Sequence, residues 1–93
     1  MSKLPTDERP IIRRSFRLHD THRLPLGTTL QIARQKGVAV SLPDFYRDAC
    51  RAGWKPEKAV TIVREALIDV GESVAYADRA CAWLTGQHEE LIR

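Results

Sequence analysis

The stretch Ser41-Leu-Pro-Asp-Phe-Tyr-Arg-Asp-Ala-Cys-Arg-Ala-Gly53 contains the start, the buried face and the end of one helix. Ser41 is a favourable N-cap, Pro43 lies in the first turn, where its missing N–H costs no hydrogen bond, and Asp44 completes a capping box. Gly53 favours a left-handed end to the helix. One apolar stripe recurs at helical spacing and consists of Leu42, Phe45, Tyr46, Ala49 and Cys50. We therefore predict a central helix on which the rest of the chain packs.

Three further helices are predicted from apolar periodicity and from the proline, serine and glycine residues at their ends. One precedes the central helix and two follow it. Their expected bounds are Pro25 or Thr28 to Lys36, Pro56 to a stop at Gly71, and a cap at Ser73 to an end at Gly86. Residues 88–93 are expected to add a frayed turn.

The segment before these helices has a different pattern. Residues 1–10 are polar and contain two prolines, which predicts a flexible N-terminal arm. In residues 11–19, apolar side chains alternate with polar ones, as in a short strand with one solvated face. The polar set is Arg13, Ser15 and Arg17, and the apolar set is Ile12, Phe16 and Leu18. We therefore predict a mainly α fold of four short helices with an N-terminal β-strand, in which residues 11–93 form a single small domain.

Composition and charge narrow the class of protein. Ninety-three residues suffice for one small domain, and 43% hydrophobic residues with 29% charged residues are typical of a globular chain. Residues 1–58 carry a net charge of +6 and residues 59–93 a net charge of −3, which predicts an anionic partner for the first half. No signal peptide or long apolar run is present, so a cytoplasmic location without a membrane partner is expected.

The sequence gives no support to an enzyme. No nucleophile motif, glycine-rich phosphate loop or metal-ligand spacing occurs, so no catalytic residue, metal or cofactor is predicted. Cys50 and Cys81 lie on apolar helical faces and are interpreted as small buried hydrophobes. Trp54 and Trp83 are interpreted as core or interface anchors.

A basic strand followed by two helices is an arrangement that binds nucleic acid. A two-stranded ribbon fits the DNA major groove, and a chain with one such strand must dimerise to build the ribbon. Three stretches resemble the ribbon-helix-helix family of Arc- and MetJ-type repressors and plasmid relaxosome accessory proteins. They are Arg13-Arg-Ser-Phe-Arg-Leu-His19, Thr29-Leu-Gln-Ile-Ala-Arg-Gln-Lys-Gly37 and Val40-Ser-Leu-Pro-Asp-Phe-Tyr-Arg-Asp-Ala49, within residues 11–53.

The resemblance implies two groups of DNA-contacting residues. Strand side chains that face the groove would be Arg13, Ser15 and Arg17. The phosphate clamp at the start of the central helix would fall on the backbone of Val40, Ser41 and Leu42.

These observations predict a homodimeric DNA-binding protein, acting as a transcriptional regulator or a relaxosome-type accessory and having no enzymatic activity. Duplex DNA is the expected partner. The alternative is a phage- or plasmid-encoded interaction module that inhibits a host nucleic-acid machine and binds an acidic protein surface.

Overall fold

The computed structural model describes residues 11–22 and 24–92. In those ranges the mainly α class is confirmed, and the chain forms six helices and one two-stranded parallel sheet. In order these are β1 (Ile11–Ile12), α1 (Ser15–His22), α2 (Leu26–Lys36), β2 (Ala39–Val40), α3 (Leu42–Arg51), α4 (Pro56–Asp69), α5 (Val74–Gly86) and α6 (His88–Ile92). The four helices predicted from the sequence are α2 to α5, α6 occupies the position of the frayed turn expected at residues 88–93, and α1 is additional. The arm predicted for residues 1–10 lies outside the described residues.

The strand predicted for residues 11–19 was wrong beyond Ile12. The chain enters helix α1 at Ser15, and β1 pairs in parallel with β2 of the same chain. The reason is packing: Phe16 and His19 are three residues apart, so a helix places both on one face, whereas a strand would place them on opposite faces. Both rings contact Phe45, and this shared contact favours the helix.

The ends of α3 follow the predicted local chemistry except in the capping box, of which only one bond forms: the Ser41 N–H donates to the Ile12 carbonyl and not to the Asp44 carboxylate. The Ser41 side chain accepts a hydrogen bond from the Asp44 backbone N–H at 3.4 Å. After the helix, Gly53 has a φ of +105°, which a residue with a Cβ rarely adopts. The N–H of Gly53 donates to the carbonyl of Cys50 at 3.1 Å, and the N–H of Trp54 donates to the carbonyl of Ala49 at 3.0 Å. This pair of bonds is a Schellman motif, and the same pattern closes α2 at Gly37 and α4 at Gly71.

Helix α3 lies at the centre of the fold, where it packs against α1, α4 and α6. Helices α4 and α5 form a hairpin, and α2 packs on α4 from the other side. Phe45, Tyr46 and Ala49 of α3 have no exposed surface, which confirms the predicted stripe and the burial of Phe45. The remaining core members are Phe16, Leu26, Ala59, Val63, Ala66, Leu67, Ala77 and Leu84.

Four aromatic rings join three segments of the chain. Phe45 of α3 meets Phe16 of α1 edge to face at 5.7 Å between centroids, and meets Trp54 of the α3–α4 loop at 6.2 Å. His19 contacts both Phe45 and Trp54 in the same geometry, at 6.1 and 5.4 Å. Such pairs contribute about 0.5–1.5 kcal/mol each beyond the area that they bury. We call these four residues the aromatic cluster.

Removal of the Phe45 ring is therefore expected to be costly. Phe45→Ala should lower the free energy of unfolding by about 3–5 kcal/mol, because a cavity replaces a fully buried ring. Ile32→Ala is the matched control, since Ile32 is 40% exposed and its truncation should cost less than about 1 kcal/mol. Urea denaturation measures both values. Equal midpoints for the two variants would contradict a core position for Phe45.

The Tyr46 side chain connects the centre of the fold to its C-terminal helix. Its hydroxyl lies 2.6 Å from Nδ1 of His88, the first residue of α6. Burial, with a smaller contribution from the neighbouring Cys50, raises the pKa of Tyr46 to about 12 from the ordinary value of 10.0. The hydroxyl is thus held in its neutral form.

This shift predicts a loss of stability at alkaline pH. The folded state holds the Tyr46 proton more tightly than the unfolded chain, so the stabilisation is fully present below pH 10.0 and disappears as the pH rises through about 12. Urea denaturation at a series of pH values should show a steeper decline for the parent protein than for Tyr46→Phe, which has no proton to lose. Parallel pH profiles for the two proteins would contradict the shifted pKa.

Candidate nucleic-acid interface

A cleft of about 660 Å³ lies between the start of α1 and helix α3. The aromatic cluster forms the contact that brings these two helices together, because Phe16 and Phe45 touch beneath the cleft. Four arginines and three aspartates surround the opening. The lining consists of Arg13, Arg14, Phe16, Arg17, Asp20, Asp44, Arg47 and Asp48.

Asp44 holds two of the four arginines. Its Oδ1 is 2.9 Å from Arg47 and its Oδ2 is 3.4 Å from Arg13. Only 13% of the Asp44 side chain is exposed, whereas 67% of the Arg13 side chain remains in solvent. Arg47 also bonds Asp48 at 3.2 Å. Asp44 therefore fixes the directions of these two guanidinium groups while neutralising part of their charge.

Arg14 and Arg17 differ from this pair. Both side chains belong to exposed residues, both line the cleft, and neither forms an ion pair within residues 11–22 and 24–92. Their donors are therefore available to an oxyanion that enters the cleft. Asp20 lies on the same rim and limits the net positive charge.

The structure separates the three residues that the strand pattern grouped. Arg13 and Arg17 line the cleft, but Ser15 is fully buried in the first turn of α1. The prediction that Ser15 faces the ligand was therefore wrong, because α1 turns Ser15 away from Arg17, and Arg13 lies before the helix begins. Within the described part of the chain, the Ser15 hydroxyl and Nδ1 of His19 are buried without a hydrogen-bond partner.

The residues predicted as a phosphate clamp lie at the junction of β2 and α3. Val40 pairs with Ile12 in the sheet, and the Ser41 N–H donates to the Ile12 carbonyl at 2.9 Å. Leu42 packs partly buried against the core. The Ser41 backbone donor is thus already used within the chain, and none of the three residues lines the cleft.

Arg14 and Arg47 are candidate residues that the sequence pattern missed. Arg14 interrupts the apolar side of a strand, yet it lies three residues before Arg17, which is one helical turn. Helix α1 begins directly after Arg14, whose carbonyl accepts from the Leu18 N–H at 3.3 Å, so a helical interpretation that starts at Arg14 would have grouped these two arginines. Arg47 lies off the apolar stripe of α3 and three residues after Asp44, so a helix alone brings these two side chains together, whereas the contact of Asp44 with Arg13 depends on the fold.

Other kinds of site find little support in the described ranges. Among residues 11–22 and 24–92, no group of three or more His, Cys, Asp or Glu side chains could hold a metal ion. Burial raises the pKa of the Cys50 and Cys81 thiols, which disfavours the nucleophilic thiolate. Cys81 also donates to the Val60 carbonyl, with 3.3 Å between sulfur and oxygen. No helix in this part of the chain is both long enough and apolar enough to cross a membrane.

A Ser41 variant distinguishes the role of this side chain as a helix cap from a role in binding nucleic acid. Ser41→Ala should lower the free energy of unfolding by about 1 kcal/mol, because the Asp44 N–H loses its acceptor. If duplex DNA is a ligand, the affinity for it should stay unchanged, since the hydroxyl accepts a hydrogen bond from its own helix. Thermal melting and a DNA titration of the same variant measure the two effects, and weaker DNA binding by a fully folded variant would contradict this assignment.

Comparison with known proteins gives one short similarity. No family model matches the chain, and no solved structure matches it. Alanine–tRNA ligases from Thermotoga petrophila and Thermotoga maritima are 55% identical to it over 31 residues. That segment is 33% of this chain and 4% of each ligase, so the chain is similar to a small piece of a much longer protein.

Proposed function

We propose that the protein is a cytoplasmic, non-enzymatic DNA-binding regulator or relaxosome-type accessory that acts as a homodimer and contacts duplex phosphates through the α1–α3 cleft. The observation that carries the proposal is the pair Arg14 and Arg17, which lines the cleft without an acidic partner among the described residues. Arg13 and Arg47 extend the basic rim on either side.

Arginine suits this task for a chemical reason. Its planar guanidinium presents several N–H donors and can bond two oxygens of one phosphate. Each phosphate that a cationic side chain neutralises releases counterions from DNA, and this release makes the affinity strongly dependent on salt. Because Asp44 already orients Arg13 and Arg47, less side-chain freedom is lost when they bind.

The ribbon-helix-helix form of the proposal requires a rearrangement. Residues 15–19 would have to leave α1 and pair with a second chain, which would expose the buried Phe16 ring. Phosphate contact through the cleft needs no such change, and it is the form that we adopt. In this form of the proposal the cleft contacts phosphates only, and no side chain is assigned to read the bases.

Removal of the two unpaired arginines tests the proposal. The variant Arg14→Ala/Arg17→Ala should bind a labelled random duplex more weakly, and its log–log salt slope should be shallower by roughly two units, one per lost phosphate contact. Lys36→Ala/Lys55→Ala is the matched control, because it removes two exposed positive charges away from the cleft. Fluorescence anisotropy at several salt concentrations measures both variants.

Two outcomes would overturn the assignment. If the control variant loses as much affinity as the arginine variant, binding is a property of net charge and not of the cleft. If the parent protein does not bind duplex DNA even at low salt, the basic rim belongs to an acidic protein partner, as expected for an interaction module of phage or plasmid origin.

Structured RNA is a second candidate ligand. The observation that favours RNA is the similarity over 31 residues, because the proteins that contain the similar segment are ligases named for a tRNA. The same cleft would contact RNA phosphates by the same chemistry. A competition experiment distinguishes the two ligands: the protein is bound to a labelled DNA duplex, and either an alanine-tRNA transcript or unlabelled duplex is added. If the tRNA displaces the labelled duplex at a much lower concentration than the unlabelled duplex does, RNA is the favoured ligand.

A further inference from the structure

Arg47 is held in the α1–α3 cleft differently from the other arginines there. Its Nη1 lies 2.9 Å from Oδ1 of Asp44, and its Nε donates to Oδ1 of Asp48 at 3.2 Å. Both acceptors belong to α3, the helix that carries Arg47, so the side chain lies along its own helix. The N–H donors of a guanidinium lie in its plane, and two bonds to separate carboxylates therefore fix that plane.

A guanidinium held in this way suits stacking better than it suits phosphate binding. Two of the three nitrogens of Arg47 already face carboxylates, whose charge offsets that of the cation. The side chain is still 33% exposed and lines the cleft, so its flat face is the part left for a ligand. Bases that have left a stack pack on such planes. The Phe16 ring does not offer the same surface, because only 7% of this residue is exposed.

The α1 wall of the cleft offers both a cation and an anion. Arg17 and Asp20 are three residues apart, which is one helical turn and about 4.5 Å along the axis. Both are exposed, both line the cleft, and neither forms an ion pair within the described residues. A free carboxylate repels a ligand that is only anionic, but it accepts hydrogen bonds from N–H groups. The complementary ligand therefore carries a negative group together with N–H donors.

The volume of the cleft also exceeds what a phosphate group fills. It is about 660 Å³, within the range of about 300–1,000 Å³ that is typical of sites for whole small molecules. A duplex keeps its bases paired inside the helix, so contact with its phosphates leaves most of this space unused. A nucleotide whose base is unpaired can bring its phosphate, sugar and base into the cleft together.

We propose that the α1–α3 cleft binds one unpaired nucleotide of a nucleic-acid strand. Arg14 and Arg17 hold its phosphate. The base stacks on the face of Arg47, and an amino group of the base donates to Asp20. Cytosine, adenine and guanine carry such an amino group, whereas thymine carries none, so the site favours these three bases over thymine. This inference rests on the cleft assignment in the proposed function and adds a base contact to it.

Comparison of a short single strand of DNA with the duplex of the same sequence tests the base contact. Phosphate contact alone favours the duplex, because its higher charge density releases more counterions. A stacked base reverses this order, and we expect the parent protein to bind the single strand about tenfold more tightly than the duplex. Fluorescence anisotropy measures both affinities. An RNA strand of the same sequence is the third probe, and tighter binding of RNA than of DNA would assign the nucleotide to RNA with the same base contacts.

The variant Arg47→Lys isolates the stacking face, since lysine keeps the positive charge but has no planar group. Its affinity for the duplex should stay close to that of the parent, whereas the preference for the single strand should disappear. Arg79→Lys is the matched control, because Arg79 is exposed on α5 and does not line the cleft. This control should keep the preference. Circular dichroism confirms that each variant is folded.

The variant Asp20→Asn tests the acceptor for the base. The parent should bind an oligomer of deoxycytidine about fivefold more tightly than an oligomer of thymidine. Asp20→Asn should lose this difference, because an amide presents a donor as well as an acceptor. Glu65→Gln is the matched control, since it removes an exposed negative charge on α4 away from the cleft, and it should keep the difference.

The same titrations show which part of the proposal fails. A parent protein that binds the duplex as tightly as the single strand, through Arg14 and Arg17, would overturn this inference and leave the proposed function intact. Equal weakening of both ligands by Arg47→Lys would make Arg47 a phosphate ligand and overturn the stacking contact. Binding of the single strand without binding of the duplex would support the inference and overturn the duplex as the partner. Binding of neither would overturn the proposed function itself.

Discussion

The contact of Phe45 with Phe16 and Trp54 is the interaction on which the rest of the structure depends. The three rings come from α3, α1 and the loop that leads into α4, so one cluster fixes three segments at once. The position of α1 against α3 follows from it, and so does the cleft. The contact of Phe16 with Phe45 holds the start of α1 against α3, and this places the arginines of residues 13–17 on the same cleft as Arg47.

Asp44 connects the stability of the central helix to the charge of the candidate site. It lies in the first turn of α3, where a carboxylate is favourable against the helix dipole. The same carboxylate attracts Arg13 and Arg47, and so reduces the charge that the cleft presents to an anion. A carboxylate in the first turn of α3 therefore also tunes the electrostatics of the cleft. The two arginines reach into solvent, and water and salt weaken their attraction to Asp44. These ion pairs therefore contribute little to the free energy of unfolding.

Much of the fold follows from local sequence signals. The serine caps, the first-turn prolines and the glycine stops identified α2 to α5 because each signal acts within about five residues. Helix α1 could not be identified in this way. It has eight residues and no capping signal, and its alternation of polar and apolar residues suits a strand as well as a helix. The choice is made by Phe45 and Trp54, which are distant in the sequence.

The candidate site was predictable to a smaller extent. Arg13 and Arg17 were assigned from the alternation of a strand that ends at Ile12, and they line the cleft for a different reason: packing of α1 on α3 joins them to Arg14 and Arg47. Ser15 was assigned to the wrong side with the strand. The backbone of Ser41 was expected to meet a ligand, yet its N–H is bound to Ile12 because the two short strands meet there.

The repeated Schellman ending of α2, α3 and α4 has a consequence for how the chain folds. Each ending joins residues no more than five positions apart, so the position at which each of these helices ends is encoded locally and needs no contact with a distant segment. Helical domains with mainly local contacts fold within microseconds to milliseconds. The distant contacts at Phe45 and at the Tyr46–His88 bond therefore determine how these three helices pack, but not the residues at which they end.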